Sequence, residues 1–587
     1  MNPLATRANR LFRDPTFHEV LLYSLPALII GIALRAALTA QMPWGYVQYD
    51  SAEYLATAYR LLKSGSFFVE GKRGFLVPIL FTIPFLLHIP ALVAIPLGQH
   101  LLGLAATLMS GAITRLWFRL WRWFIVPITF FVAINPAMLW YEQTIMGESE
   151  FLFALIFLGL AGTLWVRRQT RARFVLLLVA LVFTAGARPE GRLFFAFGLA
   201  LAVLVLWGQW RSLAGCVAAM VVVALAGALL VRQSTAPQLL YASLIQLAPD
   251  HSRLVPGIEP YINPLRDQVR KDFTGDPLQL VKVSKEIRDD IDPYLWTQIR
   301  DKHLYYKELN KTLRNLCLDA ILAHPGTALG LPLEKFRLAV DSSSAYQFSE
   351  QALQKNQFEA YTADKDKSLY EALTKGLTGM QLDQAGVQAF IAAHYQADRV
   401  AWLGWLQGAW NDGLIWWRTA DRPLSHQRWV HDFSGGVPGG LRVMPGFPWY
   451  YLVALLGMVA AMVRPGWTRR VHIAWAPVML LVWYAATFVG VTNPRYRFAY
   501  EPYLFIYVCL LADSLISLTT QFQTPGKFSS QKLIEAISEK KSLGNAQSNL
   551  LGLELGVRHI DQGKNKVHRI SSRRPYFHLL QSAATGI

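Results

Sequence analysis

The sequence predicts an all-α polytopic membrane protein: a bundle of about ten transmembrane helices, with membrane-parallel helices beside it and a mostly helical external segment. Three observations lead there. Of the 587 residues, 53% are hydrophobic and only 16% are charged, whereas soluble proteins carry roughly 25% charged residues. Apolar stretches of about 17 to 25 residues, the length an α-helix needs to cross ~30 Å of hydrocarbon, recur along the chain. The basic residues behind the formal net charge of +18 gather in short loops on one side of those stretches. The same composition excludes a disordered chain, because so much Leu, Val, Phe and Trp has to leave water. Cys216, Cys317 and Cys509 are too few and too scattered for a disulfide framework or a CxxC metal site.

Spans are predicted near residues 19 to 40, 91 to 116, 124 to 141, 150 to 166, 173 to 188, 192 to 208, 213 to 231, 447 to 464, 471 to 491 and 499 to 518. The first is too long for the apolar core of a cleaved signal peptide, and no small-residue cleavage site follows before Pro43. Phe75 to Ile95 is apolar but interrupted by Pro78, Pro84 and Pro90. Charge decides its placement. If it does not cross, the short loops on one face hold fourteen bases, from Arg7 to Arg470, against the single acid Asp14. The positive-inside rule makes that face cytoplasmic, along with both termini.

The predicted organisation is an N-terminal transmembrane catalytic module at 1–231 with an external loop at 41–90, a large external segment at 232–446, C-terminal transmembrane helices at 447–518, and a basic cytoplasmic tail at 519–587. The large segment has 24 bases and 24 acids, as a soluble external domain would, and the tail has ten bases and four acids. A polybasic tail beside a membrane contacts anionic lipid headgroups.

Ten acids remain after the large segment, the tail and Asp14 are set aside: Glu19, Asp50, Glu53, Glu70, Glu142, Glu148, Glu150, Glu190, Glu501 and Asp513. Seven of them, Asp50 to Glu190, fall at external span ends, where ionisable groups are costly unless paired or hydrated. Asp50, Glu53 and Tyr54 open an amphipathic helix. Asp50 and Glu53 have capping-box spacing, which also leaves an N-cap carboxylate at the helix end, where it can take a proton from a hydroxyl. Glu142, Glu148 and Glu150 crowd one short loop. A favourable helix dipole accounts for one acid there but not for three. Ala187-Arg188-Pro189-Glu190-Gly191-Arg192 is a tight turn in which Glu190 either pairs with the arginines or leaves them to an anion. Other external bases include Lys72, Arg73, Arg495 and Arg497. At headgroup depth such residues suit a lipid phosphate, Arg by bidentate hydrogen bonds and Lys as a point charge.

In this order and on this side, these features resemble the GT-C superfamily of integral membrane glycosyltransferases, particularly the bacterial relatives of protein O-mannosyltransferases and lipid A aminoarabinose transferase. The matching residues are Asp50 with Tyr54, Lys72 and Arg73 before Pro78, Glu148 at the head of a span, the Arg188-Pro189-Glu190-Gly191 turn, His324-Pro325-Gly326 with Lys335 and Phe336, and Arg495-Tyr496-Arg497-Phe498 before Glu501. The chain departs from the pattern in having Glu148 where many members have Asp, and in placing 232–446 between spans.

The resemblance implies a GT-C-like bundle in a bacterial cytoplasmic membrane, acting on its external face. It implies Asp50 as catalytic base and Glu148 as a second catalytic acid. Glu53, Tyr54, Lys72, Arg73, Arg188, Glu190, Arg495 and Arg497 would bind substrate. The expected reaction is hexosyl or pentosyl transfer from a polyprenyl-phosphate or polyprenyl-diphosphate sugar to an acceptor hydroxyl on a protein, lipid or glycan. Asp50 and Glu148 would suffice for a divalent metal that keeps several waters, but no His cluster supports zinc and no ion is assigned. His18, His88, His100 and His472 read as isolated and structural. The aromatic run from Trp402 to Trp417 reads as an interfacial belt, the alternative being an acceptor lid hinged at 434–440. A transporter or flippase of lipid-linked sugars is the alternative from another class, but it would place its charges near the bilayer midplane in paired halves. Nothing in the sequence points to nucleic acid.

Overall fold

The structure, a computed structural model, describes residues 15–47, 49–64, 74–229, 241, 244–272, 306–328, 375–382, 384–394, 402–403, 405–406, 409–410, 449–489 and 498–523. The side chains of Asp50 and Glu53 fall outside that description, as do Glu70, Lys72, Arg73, Lys335, Phe336, Trp416, Trp417, the stretch 434–440, Arg495, Arg497 and everything after 523. The chain divides into two compact units, Met1–Ser517 and Leu518–Ile587; of the second, only the end of one helix is described.

Every regular element among the described residues is a helix. In chain order these are α1 (Pro15–Gln41), α2 (Tyr49–Ser64), α3 (Leu76–Leu86), α4 (Ala91–Trp117), α5 (Trp121–Ile134), α6 (Pro136–Gln143), α7 (Glu148–Arg167) and α8 (Arg171–Ala187). A 3₁₀ turn, Pro189–Phe194, leads into α9 (Phe195–Leu206), followed by α10 (Trp210–Leu229), α11 (Glu259–Asp272), α12 (Tyr306–Ala323) and α13 (Gln384–His394). The last three are α14 (Trp449–Val463), α15 (Thr468–Val489) and α16 (Glu501–Gln523).

Five stretches are long and apolar enough to cross a membrane: Phe17–Gln41, α4, α7, Pro189–Leu206 and Glu501–Thr519. The bent pair α5–α6 makes a sixth if it is one span. Helices α8, α10, α14 and α15 occupy the other four predicted positions, so the protein is the all-helical polytopic membrane protein that the composition predicts. Helix α3 has eleven residues, about 16 Å at 1.5 Å per residue, which is half the hydrocarbon thickness.

Helix α7 is the central helix and α1 a peripheral one: 78% of the most apolar window of α7 is buried, against 28% for α1. Leu22, Leu25, Ile29, Ile30 and Ile32 of α1 stay exposed, as side chains do that meet lipid in place of protein. Around α7 the core is built from Trp117, Phe151, Leu155, Phe197, Trp475 and Tyr503. The Tyr503 hydroxyl reaches across to donate to the Leu155 carbonyl at 3.0 Å, which satisfies a polar group that would otherwise be stranded in the bundle.

The predicted span 124–141 is not one straight helix. It bends by 42° between α5 and α6. Pro136 has no N–H to continue the ladder, and Asn135 restarts it, its side-chain oxygen accepting from Ala137 N at 3.0 Å and Met138 N at 3.4 Å. The Ala133 carbonyl accepts from Arg35 Nη1 at 2.9 Å.

The two ends of the bundle differ in charge. At one, here the basic end, Glu19 pairs with Arg115 at 3.1 Å and Arg122 at 3.7 Å. There Asp513 accepts from Leu120 N at 2.8 Å, Arg119 N at 3.2 Å and Arg464 Nη1 at 2.6 Å. Exposed Trp123, Trp207 and Trp210 lie at this end, as tryptophan does at headgroup depth.

Parts of the 232–446 segment pack in two places. Helices α11 and α12 close a small core of their own with Tyr241, Ile262, Leu313, Cys317 and Ala320, in which Asp319 accepts from Ser252 Oγ at 2.5 Å and Leu254 N at 3.1 Å. Burial pushes the Cys317 thiol up to about 12, so it is inert. The second part covers the bundle: Phe390 of α13 meets the Trp44 ring edge-on at 4.9 Å, Trp402 Nε1 donates to Gln41 Oε1 at 2.5 Å, and Trp410 lies 5.0 Å from the Phe131 ring. Trp405 is exposed. Within the predicted aromatic run, therefore, Trp402 and Trp410 pack on the bundle and Trp405 faces outward.

Candidate active site

The acidic end is built by two loops that hydrogen-bond to each other. Between α1 and α2, Tyr46 N donates to the Gln143 carbonyl at 2.8 Å, and Ile145 N donates back to the Tyr46 carbonyl at 2.9 Å. Tyr46 is buried against Trp140, with ring centroids 4.8 Å apart, and burial keeps its phenol well above the ordinary range and hence neutral. The loop carrying Tyr46 runs directly into α2, whose second residue is Asp50. The loop carrying Ile145 runs directly into α7, whose first residue is Glu148. One short bridge thus ties the leads of both predicted catalytic acids together.

Gly147 is the point of convergence. A methyl group built there would stand 3.1 Å from the Tyr54 hydroxyl, 3.1 Å from Val77 Cγ2 and 3.4 Å from the Ala187 carbonyl. Tyr54 lies four residues after Asp50 in α2. Glu148 follows Gly147 and is buried. Gly74 lies directly on the Gly186–Ala187 backbone, with no room for a side chain, so the Lys72-Arg73 pair ends within two residues of this corner.

Arg188 is buried and shared between two acids, its Nε on Glu190 Oε1 at 2.6 Å and its Nη1 on Glu148 Oε1 at 3.4 Å. Its guanidinium also lies 5.5 Å from the Phe151 ring. Of the two sequence alternatives for this turn, Glu190 pairs with Arg188, and Glu148 joins them. The segment before α16 approaches the same corner, with Tyr500 buried there. The Tyr500 ring lies 6.3 Å from Phe151.

A second polar group, deeper in the bundle, has no counterpart in the sequence reading. Arg35 of α1 forms a bidentate pair with Glu142, Nε to Oε2 at 2.7 Å and Nη2 to Oε1 at 2.6 Å. His100 places Nδ1 2.9 Å from Glu142 Oε2 and Nε2 3.0 Å from Gln143 Oε1. His100 is therefore not isolated. Beside it, Gln99 Nε2 donates to the Met146 carbonyl at 2.6 Å and reaches Glu150 at 3.2 and 3.3 Å. The available signal was Arg35 itself: an arginine inside an apolar run has to find an acid. Among the described residues no three His, Cys, Asp or Glu side chains gather as a metal site.

Of the predicted site residues, Tyr54, Glu148, Arg188 and Glu190 converge, and the α2 backbone brings Asp50 and Glu53 to the same end. No family model matches the chain, and no curated protein does. Among solved structures it is similar to one described as ArnT from Cupriavidus metallidurans bound to undecaprenyl phosphate, with 14% identity over 80% of this chain and 78% of that one, at a TM-score of 0.29.

Proposed function

We propose that this protein is a membrane glycosyltransferase that moves a sugar from a polyprenyl-phosphate or polyprenyl-diphosphate donor to an acceptor hydroxyl, on the external face of a bacterial cytoplasmic membrane. The observation that carries this reading is the convergence on Gly147 of Tyr54, Glu148 and the Ala187–Arg188 turn, with Asp50 one helical turn from Tyr54. Asp50 takes the acceptor proton as the hydroxyl oxygen attacks the anomeric carbon. The bond from that carbon to the phosphate oxygen breaks, the configuration inverts, and the lipid phosphate leaves with the electron pair.

The bases divide the remaining work. Arg188 already bridges Glu148 and Glu190, so its first task is to orient those carboxylates toward the acceptor. The developing phosphate charge then falls to Lys72, Arg73, Arg495 and Arg497, whose sequence positions adjoin the corner at Gly74 and Phe498. The test is transfer from a radiolabelled lipid-linked sugar by purified protein. Asp50→Asn should lower turnover by about 10²- to 10⁴-fold, the usual contribution of a general base. Near-wild-type turnover in that variant would remove Asp50 from the role, and translocation without transfer would favour the flippase.

A further inference from the structure

Three ionisable side chains, Arg35, Glu142 and His100, meet in the bundle interior, all of them buried. Their partners reach both loops of the acidic end. Gln143, held by His100, donates to the Met42 carbonyl at 2.7 Å and the Trp44 carbonyl at 3.2 Å. Its own carbonyl receives Tyr46 N. On the other side Arg35 Nη1 ties α1 to the α5–α6 break by donating to the Ala133 carbonyl at 2.9 Å, and it also donates to the Gly31 carbonyl of its own helix at 3.0 Å. Space for the group is made at Gly103, where any side chain would run into the Glu142 carboxylate.

Stability alone gives a poor reason for such a group, since buried ion pairs can often be replaced by well-packed apolar residues without loss. What the group does geometrically is fix α1, α4 and α6 to each other directly beneath the bridge at Tyr46. From that bridge the chain reaches Asp50 in four residues and, from Ile145, Glu148 in three. We infer that Arg35, Glu142 and His100 form a positioning brace that sets the separation of Asp50 and Glu148. These residues touch no reacting atom. They act through the two loops, and this inference rests on the glycosyl-transfer reading only for its kinetic arm.

The experiment uses the full-length protein in detergent. In Glu142→Gln, which keeps the shape and removes the charge, and in Arg35→Met/Glu142→Met, which removes both charges, kcat should fall about tenfold or more with the donor KM within about twofold of wild type, as for misplaced reacting groups. The double variant should keep its thermal midpoint. A retained midpoint with unchanged kcat overturns the inference, and so does a kcat that falls only in proportion to the folded fraction. If the double variant does not fold, Glu142→Gln alone decides, and unchanged kcat in it overturns the brace. A second arm needs no catalysis. Spin labels at positions 50 and 148, in a background with Cys216, Cys317 and Cys509 replaced by Ala, should give one narrow distance distribution that broadens in Glu142→Gln. A distribution unmoved by Glu142→Gln overturns the brace even if transfer is observed. Absence of transfer in the wild type with a distribution that broadens overturns the enzymatic reading and leaves the brace standing.

Discussion

At the basic end of the bundle each described acid is surrounded by an excess of donors: Glu19 lies between Arg115 and Arg122, and Asp513 takes one guanidinium and two backbone amides. At the acidic end the acids share donors: Glu148 and Glu190 meet on Arg188, and Glu150 takes an amide donor from Gln99. The first arrangement is what a fold needs to stitch helix ends together. The second puts two acids on one buried guanidinium, beside the loops that lead to Asp50 and Glu148. Charge at a span end is thus informative only after its partners are counted.

Four substitutions would break or sharpen this contrast. Glu148→Gln should give the largest effect, a loss of transfer of about 10²-fold or more with little change in thermal midpoint, checked by steady-state kinetics and unfolding in detergent. Asp513→Ala should do the opposite. It strands Arg464 and two amides of the α5 start in a buried place and should cost about 3–5 kcal/mol, while turnover per folded molecule stays at wild type. Gly147→Ala is intermediate: the new methyl crowds Tyr54 and Val77, and transfer should fall about tenfold because the two acids' elements are pushed apart. Smallest should be Glu19→Gln, whose partners Arg115 and Arg122 are 32% and 64% exposed and whose loss should cost under about 1 kcal/mol. If Asp513→Ala abolished transfer by the folded protein, or Glu148→Gln unfolded it, the division between the two ends would be wrong.

Much of the acidic end was legible beforehand because loops at span ends are short and their charges stand out. Asp50, Glu148, Arg188 and Glu190 were all visible as departures from an apolar background. The bend at Asn135–Pro136 was not read, although both residues are strong signals, because averaging over a span hides a break that the flanking apolar residues outvote. Arg35 escaped for the same reason, and its partner Glu142 lies 107 positions away. Histidine 100 looked isolated along the chain, since its neighbours in sequence are apolar apart from Gln99.

By itself, the sequence determined the membrane-spanning character, the ten helical stretches and which short loops carry basic or acidic residues. These are local quantities, set by hydropathy over one helix length and by charge within a few residues of its ends. Only the tertiary structure decided that Arg188 bridges two acids, that Gly147 sits under Tyr54, and that Arg35, Glu142 and His100 meet beneath both loops. Such pairings depend on how helices far apart in the chain are rotated and packed against one another, and no window of sequence contains that information.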